Sequence, residues 1–317
     1  MSHTLNQFAS LVEAVAHRDR GHSYLLTLPR LCCLALGGNP DLTPPITEIT
    51  QLVCDAIVLC DDVIDDDVTP AQWALFTDKV DTLPLARGTA VNVAMGLLAR
   101  AGEQMQRLGQ VLGDAAAQAI QTAYYQTLWQ TAAGQQASLL PAQPTLAEAW
   151  ETAAIKSGAY YGFACWIGAY ASGAGSAAAA AFRRFGQTLG ILIQIGDDMG
   201  DLWSRDGKSS DLQAGLWTLP VVYAMSVLPP ADQAELARLL RQAQLLCQAR
   251  AGGAERLEAE AAARRLIIGC GAMVYLHVEL DRHYQAARQL LLDSAPPSPY
   301  RDDLLHVLAQ TLSMLPA

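Results

Sequence analysis

The stretch Cys60-Asp61-Asp62-Val63-Ile64-Asp65-Asp66-Asp67 constrains this chain more than any other. It packs five carboxylates into seven residues, directly after Ile46–Leu59, an apolar run with helical spacing. If the helix continues, Asp61 and Asp65 are four apart and Asp62 and Asp65 three apart. Their Cβ atoms then sit about 5–6 Å from one another on one face. Like charges at that distance repel and destabilise the helix unless cations lie between them. Oxygen-only ligands at this spacing suit a hard divalent ion, Mg2+ before Zn2+.

The pattern returns at Ile193-Gln194-Ile195-Gly196-Asp197-Asp198-Met199-Gly200-Asp201, again after an apolar helical run. One acidic cluster is usually a solvated helix end. Two, each closing an apolar helix, point to opposed ligand sets, Asp61, Asp62 and Asp65 on one side and Asp197, Asp198 and Asp201 on the other. The shared ligand suited to them is a Mg2+-bound diphosphate, because Mg2+ keeps waters and shares phosphate oxygens. Asp66 and Asp67 read as additional solvated charge.

The rest of the chain supplies a core. Of 317 residues, 51% are hydrophobic and only 16% charged, and no stretch shows sustained strand alternation, so the fold is expected to be all-α. No composition shift marks a linker, and residues 1–317 read as one domain, with 1–20 as an N-terminal helical region free to move. Helices are expected over 5–17, 24–36 with a late start at Pro29, 44–65, 71–82, 86–108 and 114–140. Further helices are expected from the Thr145–Glu148 capping box through Lys156, then over 176–202, 216–227, 231–250, 254–292 with a break at Gly269–Gly271, and 299–315. Ser204–Gly215 reads as a loop.

A net charge of −10 argues against nucleic acid and anionic membrane as partners. The seven cysteines form no CxxC pair and read as reduced thiols in the cytoplasm. Ser157–Phe182 carries no charge, yet it is rich in small residues and broken by Gly173-Ala174-Gly175. It reads as a buried or dimer-contact helix rather than an integral membrane span.

Two aspartate-rich helix ends about 130 residues apart resemble those of the trans-isoprenyl diphosphate synthases, and of the class I terpene synthases related to them. Lys156-Ser157-Gly158 is similar to the Lys-Thr-Ala/Gly element of these enzymes, and Gln194 fits their Phe-Gln-x-x-Asp-Asp pattern. Gly134-Gln135 and the stretch from Gly207-Lys208 to Pro220 match further elements in order and spacing. The resemblance implies a helical bundle around a central apolar cavity, and Mg2+, three ions in number, on the six aspartates. It also implies an allylic isoprenyl diphosphate substrate held by Lys156, Gln194, Lys208 and Arg205, and a homodimer. Ala56 and Ile57, one turn before Asp61, and the aromatics Tyr125, Trp129, Tyr160 and Phe163 are candidates to line the cavity.

The departures are cationic. Where elongating members carry Gly-Lys-x-x-Arg-Pro, this chain reads Tyr24-Leu25-Leu26-Thr27-Leu28-Pro29. The Arg-Arg after the first cluster is replaced by Val68–Trp73, with no basic residue until Lys79, and Gly-Lys-x-Thr has become Gly215-Leu216-Trp217-Thr218. A second diphosphate needs such cations. The leading expectation is therefore a class I terpene cyclase acting on a C15 or C20 allylic diphosphate. The alternative is a chain-elongating prenyltransferase with an atypical isopentenyl diphosphate site. A third reading, a non-catalytic partner subunit, predicts lost aspartates, whereas both clusters are complete.

Overall fold

The protein was described from a computed structural model that covers residues 3–16, 24–65, 83–140, 143–203, 209–249 and 253–313. Among these residues every regular element is helical, as the sequence predicts. The expected helix over 71–82, Lys79, Asp66 and Asp67 lie outside the described residues.

The chain gathers into two compact units that interleave in sequence. One comprises Met1–Leu128, Phe163–Arg183 and Ala295–Leu304; the other comprises Trp129–Gly162, Arg184–Ser294 and Leu305–Ala317.

In the first unit, α1 (His3–Ala16) packs on α4 (Leu83–Leu112), and α2 (Leu28–Ala35) on α3 (Thr43–Asp65). Pro29 falls in the first turn of α2, where its missing N–H costs no hydrogen bond. This explains the late start. The seam between α3 and α4 is the main packing surface of this unit. Ile46, Ile49, Leu52, Val53, Ala56 and Leu59 recur at helical spacing on α3 and are buried. They meet Ala90, Val93, Leu97, Ala101 and Met105 on α4. Each fully buried Leu or Ile there contributes roughly 1.5–3 kcal/mol. The helical stretch Pro40–Ile64 is long and apolar enough to cross a membrane, but half of its most apolar window is buried inside the protein, as in a core helix.

In the second unit, α11 (Pro230–Gln248) and α12 (Gly253–Gly269) pair, with α9 (Ser210–Ala214) against both. The helix α10 (Leu219–Val227) is apolar all round and packs against α6 (Leu146–Ala153), α12 and α13 (Ala272–Ser294). The expected break near Gly269 is a 59° bend between α12 and α13, with Gly271 at φ +86°. The last helix is α14 (Pro299–Ser313).

Three local expectations are corrected. The loop expected to end at Gly215 contains α9, capped by the Ser209 side chain and ended by Gly215 at φ +71°. The helix expected from Leu216 starts at Leu219, because Pro220 is tolerated only in a first turn. The helix expected to end near Lys156 instead widens into a π-helical turn, Ala154–Gly158, leading into α7 (Ala159–Ala171).

The capping box that starts α6 forms as expected. Glu148 N donates to Thr145 Oγ1, and Thr145 N donates to the Glu148 carboxylate, at 3.3 and 2.7 Å. Thr145→Ala is expected to destabilise the protein by about 1 kcal/mol in urea denaturation at neutral pH. Thr145 holds the Glu148 carboxyl below its ordinary pKa, so the carboxylate's share of the box is present at neutral pH and lost as pH falls through the lowered value, while the bond from Glu148 N to Thr145 Oγ1 does not titrate.

Candidate active site

Backbone proximity at glycine builds the site in the second unit. On α5 (Asp114–Ser138), a Cβ at Gly134 would lie 2.6 Å from Lys156 N and 2.7 Å from Lys156 Cα. On α8 (Ser176–Leu202), a Cβ at Gly190 would lie 2.7 Å from both Gly158 Cα and Ser157 O. Interiors packed to crystal density do not absorb such overlaps. The two glycines let the π-helical turn settle between α5 and α8. Turns of this kind recur at functional sites because they re-aim a side chain without ending the helix.

A relay follows from that placement. Ser157 Oγ donates to Gln194 Oε1 at 2.6 Å, and Gln194 Nε2 donates to Asp198 Oδ1 at 2.8 Å. The other oxygen, Asp198 Oδ2, accepts from Leu219 N at 2.9 Å, which ties the N-terminus of α10 to α8. Asp198 is only 5% exposed. Burial pushes its carboxyl up to about 6, against the opposing pull of Gln194, the Leu219 amide and Lys156. Asp201, half-buried one turn on, accepts from Ser209 Oγ, and Asp197 is exposed. Thus Lys156, Ser157, Gln194 and Asp198 interact as one set, with Asp201 adding to the negative field on Asp198.

The first cluster lies in the last described turns of α3. Asp61 and Asp62 are half-buried, and Asp65 is the last described residue of the helix. The second cluster occupies the C-terminus of α8, the negative end of the helix dipole, where carboxylates are unfavourable unless a cation is bound. Ala56 is buried and Ile57 half-buried, one turn earlier.

The aromatic candidates divide. Phe163 and Tyr160 are buried. Tyr125 and Trp129, expected to line a cavity, are instead 60% and 80% exposed. The helical period of α5 turns Ile120, Ala123, Tyr124, Thr127 and Thr131 inward, and Tyr125 and Trp129 outward. Trp166 already has a cationic partner, Arg183, whose guanidinium lies 4.8 Å from the ring centroid. The small-residue segment 157–181, a candidate dimer contact, is largely internal: Phe163, Ala164, Cys165, Ile167 and Ala169 are all buried. Arg205 and Lys208 lie outside the described residues.

The polyprenyl synthetase family model matches residues 18–250, a span that contains both clusters, the π-helical turn and Gln194. The chain belongs to this family. Among its relatives, the geranylgeranyl diphosphate synthase of Mycobacterium tuberculosis is 28% identical over 226 residues, covering 67% of this chain and 61% of that enzyme. The chain therefore spans less than two thirds of this relative's length. A decaprenyl diphosphate synthase from Rhodobacter capsulatus has the same fold, with a TM-score of 0.76 at 19% identity over 99% of this chain and 98% of that one. A polyprenyl synthase from Caulobacter crescentus CB15, solved with calcium and isoprenyl diphosphate, superposes with a TM-score of 0.75 at 20% identity, covering 98% and 94%.

Among the described residues no group of three or more His, Cys, Asp or Glu side chains is placed to hold a metal ion, so Asp197, Asp198 and Asp201 do not form a complete metal site by themselves. The donor atoms that the aspartates offer are all oxygen, the kind that Mg2+ prefers. A Mg2+ ion completes its shell with waters and substrate phosphates rather than protein ligands alone. Asp198 retains acceptor capacity beyond its two hydrogen bonds.

Sequence reasoning missed the bonding role of Ser157, the close approach at Gly190, and Ser209. Only Ser209 left a local signal, a Ser-Ser-Asp run of helix-capping type. Gly190→Ala is expected to cost about 1–3 kcal/mol by overpacking against the π-helical turn. Gly102→Ala, on α4 with nothing within 4 Å of its Cβ position, is the control and should stabilise by about 0.5–1 kcal/mol. Thermal unfolding of both variants checks the contrast.

Proposed function

We propose that the chain is a Mg2+-dependent trans-prenyltransferase that joins isopentenyl diphosphate to an allylic diphosphate. The family match over 18–250, which takes in both clusters and Lys156-Ser157-Gly158, carries this reading. It replaces cyclisation, the leading expectation from the sequence, because the named relatives are elongating synthases. We read residues 1–317 as one isoprenoid-synthase-type domain, supported by structural likeness over nearly the whole length of both chains.

Asp61, Asp62 and Asp65, and Asp197, Asp198 and Asp201, are the Mg2+ ligands in this reading, for three ions. Bound metal would supply electrophilic assistance, taking up charge that grows on the bridging oxygen of the allylic diphosphate. Lys156 lends a fixed positive charge beside the leaving diphosphate, and Lys208 and Arg205 are assigned the same task. Gln194, locked by Ser157, keeps Asp198 in one orientation. When the allylic C–O bond breaks, the double bond of isopentenyl diphosphate attacks the cation and a new C–C bond forms. The proton lost from the adjacent carbon goes to the released diphosphate.

All seven cysteines are free thiols, which supports a cytoplasmic setting. Exposed Tyr125 and Trp129, on a helix whose only charge is Asp114, support a homodimer.

Cyclisation stands as the second reading on one observation. Leu28, where elongating members carry Arg before Pro, is fully buried, so no cation from that position reaches an acceptor diphosphate. Incubation with C10, C15 and C20 allylic diphosphates and Mg2+, with and without isopentenyl diphosphate, decides between the two. A longer prenyl diphosphate formed only with both substrates is expected. A terpene hydrocarbon or alcohol from the allylic substrate alone would reverse the order.

A further inference from the structure

The family match ends at residue 250, yet a residue beyond it bonds to the segment that contacts the second aspartate cluster. Glu260, on α12, is fully buried. Its Oε2 accepts from Ser209 N and from Gln213 Nε2, both at 3.4 Å, and its Oε1 lies 3.4 Å from Arg256 Nε. Ser209 is also fully buried. Its hydroxyl donates to Asp201 Oδ2 and accepts from Leu212 N at 3.0 Å. A serine hydroxyl has one proton to give. With the Leu212 amide pointing into the oxygen, that proton is directed at Asp201.

A buried carboxylate is costly and persists only where it has partners. Glu260 finds them in the backbone and side chain of the segment that faces Asp201. We infer that Ser209 and Glu260 are positioning residues for metal binding: Glu260 fixes the backbone of Ser209, and Ser209 fixes the carboxylate of Asp201. This inference rests on the reading of Asp201 as a Mg2+ ligand. Hydrogen bonds to a ligating carboxylate orient it and set its affinity. Neither residue touches substrate in this account.

The test is calorimetric titration of the full chain with inorganic diphosphate at a series of Mg2+ concentrations. It is run on wild type, Ser209→Ala, Ser209→Thr, Glu260→Gln and the Ser209→Ala/Glu260→Gln double variant. Loss of such a supporting hydrogen bond typically lowers metal affinity about 10–100-fold, so Ser209→Ala should raise the half-saturating Mg2+ concentration at least about tenfold. Ser209→Thr, which keeps the hydroxyl, should restore it. Glu260→Gln should raise it too, and should add nothing in the Ser209→Ala background, because it acts through Ser209. In a turnover assay the same variants should shift the Mg2+ requirement more than kcat at saturating Mg2+. A wild-type Mg2+ requirement in Ser209→Ala or in Glu260→Gln overturns the inference, as does a full Glu260→Gln effect in the double variant. Should Ser209→Ala not fold, Ser209→Thr and Glu260→Gln decide alone. A wild-type protein that binds Mg2+ and diphosphate yet transfers no prenyl group overturns the proposed activity and leaves this inference standing. One that binds neither overturns both.

Discussion

The second half of the candidate site depends on backbone contact that side chains would forbid. Gly134 and Gly190 bring α5 and α8 to within touching distance of the π-helical turn 154–158. That turn carries Lys156 and Ser157, and only its position between the two helices lets Ser157 reach Gln194. The orientation of Asp198 then follows from Gln194 on one oxygen and the Leu219 amide on the other. Packing thus does for this site what flexible side chains could not. It fixes a cation and a carboxamide near an acidic cluster.

Charge is the second constraint. A carboxylate as buried as Asp198 tends to neutralise itself. Burial raises its pKa, and the donors around it only partly reverse the shift. Asp197 and Asp201, on the same helix end, add negative potential at the unfavourable pole of α8. Such an arrangement works against folding unless a cation neutralises it. The first cluster lies in the last described turns of α3. These two acidic helix segments are what support the proposed diphosphate chemistry.

The part of the chain outside the family match is not a passive appendage. Glu260 on α12 bonds to Ser209 ahead of α9, and through Ser209 the contact reaches Asp201. At the other end of the chain, Leu28 serves the core. An apolar side chain in the first turn of α2 strengthens the packing of the first unit and brings no charge.

Much of this was legible in the sequence. The spacing of Ile46, Ile49, Val53 and Ala56 determined α3, the Thr145–Glu148 pair determined the start of α6, and Gly271 determined the bend after α12, because each rests on contacts within a few residues. The two aspartate clusters set an all-oxygen donor pattern for the same reason: i, i+1, i+4 spacing fixes geometry within one helix turn. The tertiary structure alone decided the rest. Nothing local distinguishes Gly190 from other helical glycines, nor Glu260 from the solvated glutamates around it. Nor does composition say that Tyr125 and Trp129 turn outward while Tyr124 turns inward. Those outcomes depend on which helix lies opposite, a contact between residues 20 to 60 positions apart that no short stretch of sequence encodes.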